Sequence, residues 1–145
     1  MPEHSDRRVG FENGTPILRV RNLEGSVAHY VDVLGFRVDW HHGGYIAGLA
    51  RDRCGLMLCE GHQGHPGTWV WIGVEDAEAL FQEYTAAGAT IGLPPTNYLW
   101  GLEMQVLDPD GHVLRFASEP REGEPTVEWV GWYIDTPEGV KARRP

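Results

Sequence analysis

Tryptophan is the residue type in this sequence that is best suited to forming a binding site. Six tryptophans occur among 145 residues, at positions 40, 69, 71, 100, 129 and 132. Trp69 and Trp71 alternate within an apolar stretch, and Trp100 follows a loop-like segment that contains Pro94 and Pro95. Large flat rings in this number either fill a core or provide surfaces on which planar ligands stack. Composition alone leaves both interpretations open.

Metal and nucleophilic chemistry have less support in the sequence. His62 and His65 lie three residues apart in a loop rich in Gly and Pro, but no Cys or carboxylate pair lies nearby. His41 and His42 are adjacent, and adjacent side chains of a strand point to opposite faces, so both cannot easily bind one ion. Cys59 has no histidine placed to activate its thiol, and a buried thiol is usually inert. We therefore predict no catalytic residue, no metal site and no cofactor.

The charge balance limits the kinds of partner that the protein can have. Twelve basic and 21 acidic residues give a formal net charge of −9. Because phosphate recognition needs clustered Lys and Arg, we expect neither nucleic acid nor an anionic membrane surface as the main partner. An acidic protein fits a cationic small molecule.

Length and hydrophobicity indicate a single domain without a membrane span. A chain of 145 residues fits one domain, and 41% hydrophobic residues are enough to form a core. No apolar run approaches the ~20 residues of a membrane span, and the N-terminus lacks the apolar core of a signal peptide. We expect a cytoplasmic protein in which Cys54 and Cys59 stay reduced.

The first part of the chain has the pattern of a strand followed by a helix. Pro16–Val20 predicts the strand. Apolar side chains recur at helical spacing over Leu23–Leu34, which predicts a helix. Asn22 is a suitable N-cap for this helix, and Gly35 is a suitable end.

A second copy of this pattern begins at Trp69. Trp69–Val74 predicts a strand, and the helix that follows has Asp76 as its N-cap and Gly88 as its end. The two N-caps are 54 residues apart, and the two glycines are 53 residues apart. Matching spacings of caps and ends are hard to obtain by chance, so we interpret the chain as two copies of one module.

Three shorter strands follow each helix. They are predicted over residues 36–40, 45–50 and 55–60 in the first copy, and over residues 89–92, 102–107 and 113–117 in the second. Asp108–Gly111 predicts a turn between the last two strands. The prediction is an α+β fold of two βαβββ modules, residues 15–60 and 69–119, whose curved sheets form a cleft.

Strand alternation assigns the side chains of the second module to the two faces of its sheet. The positions predicted to face the helix are Val70, Ile72, Val74, Leu114 and Phe116. The positions predicted to face the cleft are Trp69, Trp71, Gly73, Glu103, Gln105, Val113 and Arg115. A cleft lined by rings with a few polar groups is the usual composition of a small-molecule site.

Both ends of the chain lie outside the repeated pattern. Residues 1–14 are predicted to form an N-terminal arm, and residues 120–145 a C-terminal extension that begins with a linker rich in Glu, Gly and Pro. The apolar segment Thr126–Ile134 fits a strand or a short helix. It would cover either its own module or a partner subunit.

Several motifs resemble the vicinal oxygen chelate superfamily, which includes glyoxalase I, extradiol dioxygenases and bleomycin-binding proteins. Leu34-Gly35-Phe36 and Asp108-Pro109-Asp110-Gly111 are typical of this fold as a whole. Trp69-Val70-Trp71-Ile72 together with Trp100-Gly101-Leu102-Glu103 is more specific and resembles the bleomycin resistance proteins. The resemblance covers residues 15–119.

The resemblance to the bleomycin resistance proteins implies a homodimer with binding clefts between two protomers, often with the N-terminal arm exchanged. It implies that a planar, cationic antibiotic of the bleomycin type is sequestered without modification, which confers resistance or self-protection. The stacking positions carried over from the family are Trp40, Tyr45 and Trp100. The neighbouring wall positions are Trp69, Trp71, Met57, Cys59, Glu103 and Arg115.

The same resemblance leaves a metal-dependent alternative open. Metal-dependent relatives place His, Gln or Glu ligands at four cleft positions, which correspond here to Thr15, Met57 or its neighbour, Trp69 and Arg115. None of these is a normal ligand for a hard or borderline divalent metal, and the arginine would repel a cation. We favour a metal-free binder that is not an enzyme. The alternatives are a glyoxalase-like or dioxygenase-like enzyme with a diverged metal site, and a carrier domain for another metabolite.

Overall fold

Each copy of the repeat folds as a four-stranded sheet with one helix. The computed structural model describes residues 8–129, 132–136 and 139–143. The first module consists of β1 (Ile17–Val20), α1 (Leu23–Asp32), β2 (Arg37–His42), β3 (Ile46–Arg51) and β4 (Cys54–Glu60). The second module consists of β5 (Trp69–Gly73), α2 (Ala77–Ala87), β6 (Thr90–Tyr98), β7 (Gly101–Leu107) and β8 (Val113–Ser118). A hairpin of β9 (Trp132–Thr136) and β10 (Gly139–Arg143) follows in the extension.

The two sheets have the same topology. Their strand orders are β1-β4-β3-β2 and β5-β8-β7-β6. In each sheet the first strand of the module pairs in parallel with the last, and the other pairs are antiparallel. The prediction of an α+β fold with two βαβββ modules is therefore confirmed.

Capping side chains define where the helices begin. The side chains of Asn22 and Asp76 accept hydrogen bonds from backbone N–H groups of the first turns, at 2.8 Å in α1 and 3.0 Å in α2. Gly88 ends α2 in the left-handed conformation, with φ of 84°, which glycine adopts without strain. The helix predicted over Leu23–Leu34 is two residues too long, because α1 ends at Asp32. Gly35 follows the turn after the helix and has a positive φ of 77°.

The two helices and the inner faces of both sheets share one hydrophobic core. Leu18 contributes from the first sheet, and Ile72 and Phe116 contribute from the second. Val70 and Val74 pack against the same core, so the helix-facing positions predicted on β5 are confirmed. Because fully burying one large apolar side chain stabilises the fold by roughly 1.5–3 kcal/mol, the core decides which face of each sheet remains for a ligand.

Polar contacts at the turn between β7 and β8 join the two modules. The Tyr30 hydroxyl donates to Asp108 at 2.8 Å in a buried contact. Burial and the neighbouring Asp108 charge raise the pKa of Tyr30 well above its usual value, so the hydroxyl remains a donor. Arg21 pairs with Asp110 at 3.0 Å, and Ser26 also donates to Asp110 at 2.8 Å. These contacts fix the second module on the first.

His112 is a second link between the modules and is fully buried. Its Nδ1 accepts a hydrogen bond from the Thr68 backbone N–H at 2.9 Å, and its Nε2 lies 2.6 Å from the Arg19 carbonyl oxygen. A carbonyl oxygen can only accept, so this geometry requires the tautomer with its proton on Nε2. The imidazole therefore connects the start of β5 with the end of β1.

We expect His112→Leu to lower the free energy of unfolding by roughly 2–4 kcal/mol, because each buried polar group left without a partner costs roughly 1–3 kcal/mol. Leucine occupies similar space but cannot satisfy the Thr68 N–H or the Arg19 carbonyl. Urea unfolding followed by circular dichroism measures the loss. His41→Leu, at an exposed position, is the control. A loss no larger than that of the control would show that His112 does not link the modules.

β6 is longer than the sequence indicated. The sequence predicts a strand over residues 89–92, followed by a loop that contains Pro94 and Pro95. Instead, β6 continues to Tyr98 with two shifts of register against β7. The prolines are tolerated because β6 is an edge strand and because they lie at the second shift of register, between Leu93 and Thr96, where the ladder with β7 is interrupted. Leu99 and Trp100 then form a two-residue turn into β7, so Trp100 lies at the tip of a hairpin.

The first part of the C-terminal extension is held against its own module by Asn97. The Asn97 side chain accepts a hydrogen bond from the Arg121 backbone N–H at 2.8 Å and donates to the Arg121 and Pro125 carbonyls at 3.3 Å. The backbone carbonyl of Asn97 accepts a hydrogen bond from the Val127 backbone N–H at 2.9 Å. Arg121 also pairs with Glu78 of α2 at 2.7 Å. We call this set of contacts the Asn97 latch.

Parts of both predicted terminal segments lie outside the described residues. These parts are residues 1–7 of the N-terminal arm, and residues 130, 131, 137, 138, 144 and 145 of the extension. In the described part of the arm, Phe11 is almost fully exposed. Among the residues that the structure describes, no helix is long and apolar enough to cross a membrane.

Candidate functional site

The outward face of the first sheet carries a row formed by Trp40, Gly48 and Met57. These residues are direct neighbours across β2, β3 and β4, so their side chains share one face. Trp40 lies so close over Gly48 that a Cβ built on this glycine would overlap the indole nitrogen. Glycine at this position therefore makes room for a flat ring on the sheet. Trp40 remains 41% exposed, and Met57 is half-buried beside it.

Tyr45 and Cys59 occupy other parts of the first module. Tyr45 is half-buried before β3, where its ring packs over Gly43 and lies 5.3 Å from the His62 ring. Cys59 is fully buried, so a single chain does not offer its thiol to a ligand. Burial raises the pKa of the other thiol, Cys54, which disfavours the reactive thiolate.

Trp69 and Trp71 lie on the outward face of the second sheet, on its edge strand β5. They are 41% and 56% exposed. Trp71 is paired across the sheet with Arg115. Its ring lies beside Gly73, 3.4 Å from the point that a Cβ of residue 73 would occupy. The two indoles therefore form an exposed aromatic surface beside Arg115.

Glu103 and Arg115 form an ion pair on the same outward face. Both Nε and Nη2 of Arg115 donate to the Glu103 carboxylate, the Nη2 bond at 3.0 Å. Such two-point pairing between a guanidinium and a carboxylate is strong and geometrically specific. The Glu103 side chain is 1% exposed and that of Arg115 is 25% exposed. The charge of Glu103 is therefore balanced inside the chain, and this carboxylate is not presented to the positive charge of a ligand.

The same carboxylate orients Trp100. The indole N–H of Trp100 donates to Glu103 at 3.0 Å. One face of the indole is covered by the Tyr98 ring, with centroids 4.6 Å apart and planes at 3°. Tyr98 is buried, whereas Trp100 is 50% exposed. The hairpin tip thus presents the Trp100 indole in an orientation fixed by Glu103, with one face packed against Tyr98.

Tyr98 and Trp129 are aromatic residues of this region that sequence reasoning did not assign to the site. Tyr98 pairs with Gly101 across the hairpin, so the register of a two-residue turn would have identified it as a neighbour of Trp100. Trp129 comes from the extension, and its ring centroid lies 4.8 Å from the Arg115 guanidinium. No local pattern connects position 129 with β8, so only the tertiary structure reveals this contact.

The nine predicted site residues form two groups, one on each module. The first group is Trp40, Tyr45, Met57 and Cys59. The second group is Trp69, Trp71, Trp100, Glu103 and Arg115. No ring contact between described residues joins one group to the other. Because the inner faces of both sheets share one core, each group occupies its own outward surface of the chain.

The positions that correspond to metal ligands in the metal-dependent relatives carry poor donors. Thr15 precedes β1, Trp69 begins β5, and Met57 and Arg115 lie on the outward faces. Within the described part of the chain, no three His, Cys, Asp or Glu side chains come close enough together to hold a metal ion. These residues do not fit a metal centre of the kind found in those relatives.

A groove of about 840 Å³ lies at the junction of the two modules. Charged side chains of both modules line it, including Arg19, Arg21, Glu60, Asp108 and Asp110. The nine predicted site residues do not line this groove. Since Arg21 and Asp110 pair with each other there, we assign its charges to the contact between the modules.

Comparison with known proteins places this fold and these motifs in a family. A family model described as the Glyoxalase/Bleomycin resistance protein/Dioxygenase superfamily matches residues 14–116. No curated protein matches the chain.

Solved structures with the same fold extend this comparison. TioX from Micromonospora sp. ML1 is 24% identical over 74% of this chain and 99% of its own, with a TM-score of 0.66. The bleomycin-binding protein from bleomycin-producing Streptomyces verticillus, complexed with copper(II)-bleomycin, is 28% identical over 77% of this chain and 98% of its own, with a TM-score of 0.63. A glyoxalase/bleomycin resistance protein/dioxygenase from Nocardioides is 18% identical over 88% of this chain and 97% of its own, with a TM-score of 0.63. Since the family model also spans most of the chain, the protein belongs to the glyoxalase/bleomycin resistance protein/dioxygenase superfamily.

Proposed function

We propose that the protein sequesters a planar aromatic antibiotic of the bleomycin type without modifying it. The observation that carries this proposal is the set of exposed indoles on the outward faces, namely Trp40 on the first sheet and Trp71 and Trp100 on the second module. Exposed aromatic surfaces of this kind are typical of ligand or partner sites, and planar heterocycles stack on them. Sequestration would confer resistance or self-protection.

The likeness to the bleomycin-binding protein of Streptomyces verticillus supports this class of ligand. That protein is 28% identical, and its structure holds copper(II)-bleomycin. Fold alone does not fix function. The exposed aromatic positions, more than the sheet topology, connect this chain with a planar ligand.

In this proposal the binding clefts form between two copies of the chain. The two groups of site residues occupy separate outward surfaces, so one chain presents two half-sites. A second copy that sets its first sheet opposite the second sheet of its partner would close two equivalent clefts by two-fold symmetry. Trp69 and Trp71, which are exposed in a single chain, would then become cleft walls.

Two features favour a binder over a metal-dependent lyase or dioxygenase. Met57 and Trp69 offer no hard donor at positions that correspond to ligands in metal-dependent relatives. Arg115 places a positive charge, already paired with Glu103, at a third such position. A metal cation held among these groups would find few ligand atoms, and the positive Arg115 guanidinium would repel it.

We expect Trp100→Ala to weaken binding of metal-free bleomycin at least about tenfold, because stacking on one ring contributes roughly 1–3 kcal/mol. Isothermal titration calorimetry, with and without EDTA, measures the dissociation constant. Leu99→Ala is the matched control, since Leu99 is the other residue of the same turn and is 81% exposed. Mass spectrometry of the recovered drug checks that it is unchanged.

Wild-type protein that binds no bleomycin, or that binds it only without EDTA, would contradict the proposed function. A chemically altered drug would support the enzyme instead. Equal dissociation constants for Trp100→Ala and Leu99→Ala would remove Trp100 from the site.

A further inference from the structure

The C-terminal extension places one more indole against the aromatic residues of the second module. The Trp129 ring lies 4.8 Å from the Arg115 guanidinium and 6.2 Å from the Trp100 ring, with the two indole planes at 45°. It also lies 5.8 Å from the Tyr98 ring. The family model ends at residue 116, so this indole lies beyond the region that the model matches.

The ring distances place Trp129 beside the stack of Tyr98 and Trp100. A ring stacked on the outer face of Trp100 would be roughly twice as far from Tyr98 as from Trp100. Trp129 is instead almost equally far from both, at 5.8 and 6.2 Å. It therefore stands at the side of the stack and leaves the outer face of Trp100 open.

The position of Trp129 is fixed by the segment that precedes it. The Asn97 latch binds the backbone at Arg121, Pro125 and Val127, and the last of these contacts lies only two residues before the indole. The Arg115 guanidinium, oriented by Glu103, packs on the face of Trp129. The indole is thus held from the backbone and from its ring face, and the wall that it forms exists before a ligand arrives.

We propose that Trp129 is a ligand-contacting residue that forms a side wall against the rim of an aromatic ring stacked on Trp100. This inference rests on the proposed function. The 45° angle between the indoles prevents one flat molecule from stacking on both. A ring system stacked on Trp100 would therefore meet Trp129 only with a rim that extends past the edge of Trp100. A single small ring on Trp100 would not reach the wall. The arrangement therefore selects fused or directly linked ring systems.

The charges beside Trp129 restrict the class of ligand further. Glu103 balances the charge of Arg115, and Trp129 covers a face of the guanidinium. This part of the site therefore recognises an uncharged ring surface. The positive charge of a cationic ligand is met elsewhere, and contacts at Trp129 should be insensitive to salt.

The test uses metal-free bleomycin, which carries two linked rings, and proflavine, which carries three fused rings. Trp129→Ala should weaken binding of both probes about three- to tenfold. This factor corresponds to the binding free energy of one edge-to-face aromatic contact. Val127→Ala is the matched control, because Val127 lies on the same extension, is exposed and keeps its backbone hydrogen bond. Asn97→Leu removes the side-chain contacts to Arg121 and Pro125 but keeps the backbone hydrogen bond to Val127, so it should weaken binding less than Trp129→Ala. It should add nothing in the Trp129→Ala background, because it acts only through the position of that ring.

Hydroxyl-radical footprinting gives a readout that a merely structural role would not change. Trypsin releases residues 122–141 as one peptide, in which fragment ions report oxidation at Trp129. Bound bleomycin should protect Trp129 as well as Trp100 from oxidation.

The outcomes separate this inference from the proposed function. Unchanged affinity in Trp129→Ala, while Trp100→Ala still weakens binding, would overturn the inference and leave the function standing. An equal loss in Val127→Ala would also overturn it, because the effect would not belong to the ring. Failure of the wild-type protein to bind either probe would overturn both.

Discussion

Arg115→Met is expected to lower the free energy of unfolding by about 3–5 kcal/mol, because breaking a buried ion pair leaves an uncompensated charge. The Glu103 carboxylate is 1% exposed, and Arg115 gives it two hydrogen bonds. After the substitution it would keep the hydrogen bond from Trp100 but lose its counter-charge. Methionine preserves most of the side-chain length, so the loss reports charge more than packing. Urea unfolding followed by circular dichroism measures it.

Substitution of the other partner, Glu103, should lower the free energy of unfolding by a smaller amount. Glu103→Gln removes the counter-charge of Arg115, but that side chain is 25% exposed and can be hydrated. We expect a loss of about 1–2 kcal/mol, in the range of a hydrogen bond to a charged group. The double variant Arg115→Met with Glu103→Gln should recover part of the larger loss, because no charge is then left buried. Strictly additive losses would show that the two residues do not act as a pair.

Gly48→Ala is expected to displace the Trp40 indole from the first sheet. It should weaken bleomycin binding roughly five- to 150-fold, which corresponds to the binding free energy of one stacked ring. A Cβ at position 48 would overlap the indole nitrogen, and the tryptophan side chain can rotate away while the strand stays in place. We therefore expect the free energy of unfolding to change by less than about 1 kcal/mol. Calorimetry measures the affinity, and acrylamide quenching of tryptophan fluorescence, expected to rise, measures the exposure of Trp40.

Gly55→Ala is the matched control for this substitution. A Cβ at Gly55 would lie 3.6 Å from the Leu49 carbonyl oxygen, an ordinary contact, and would meet no ring. In a Trp40→Ala background, Gly48→Ala should have no further effect on affinity. Unchanged quenching in Gly48→Ala would contradict the packing of Trp40 on Gly48. Increased quenching with wild-type affinity would remove Trp40 from the ligand site.

The modules could be predicted from the sequence because their signals are local. An N-cap acts within the first turn of its helix, so Asn22 and Asp76 marked the helix starts without tertiary information. Alternation is likewise a property of the strand itself. The positions of Ile72 and Phe116 in the core follow from it directly.

The predictions were incomplete where distant parts of the chain decide the structure. β6 continues through Pro94 and Pro95 because it is an edge strand, and that position depends on the strand order of the whole sheet. Strand alternation and the family resemblance both assign Glu103 to a cleft wall, and neither indicates whether its carboxylate is exposed. Its burial depends on Arg115 and Trp100, which are placed by β8 and by the hairpin tip.

Because the indoles are divided between two sheets, the amount of protein that a cell makes governs how much drug it can remove under the proposed function. At chain concentrations below the dissociation constant of the proposed dimer, the number of complete binding clefts falls with the square of the chain concentration. Protection would then show a threshold in expression level. A drug that binds only the assembled form would, by mass action, lower that threshold as its own concentration rises.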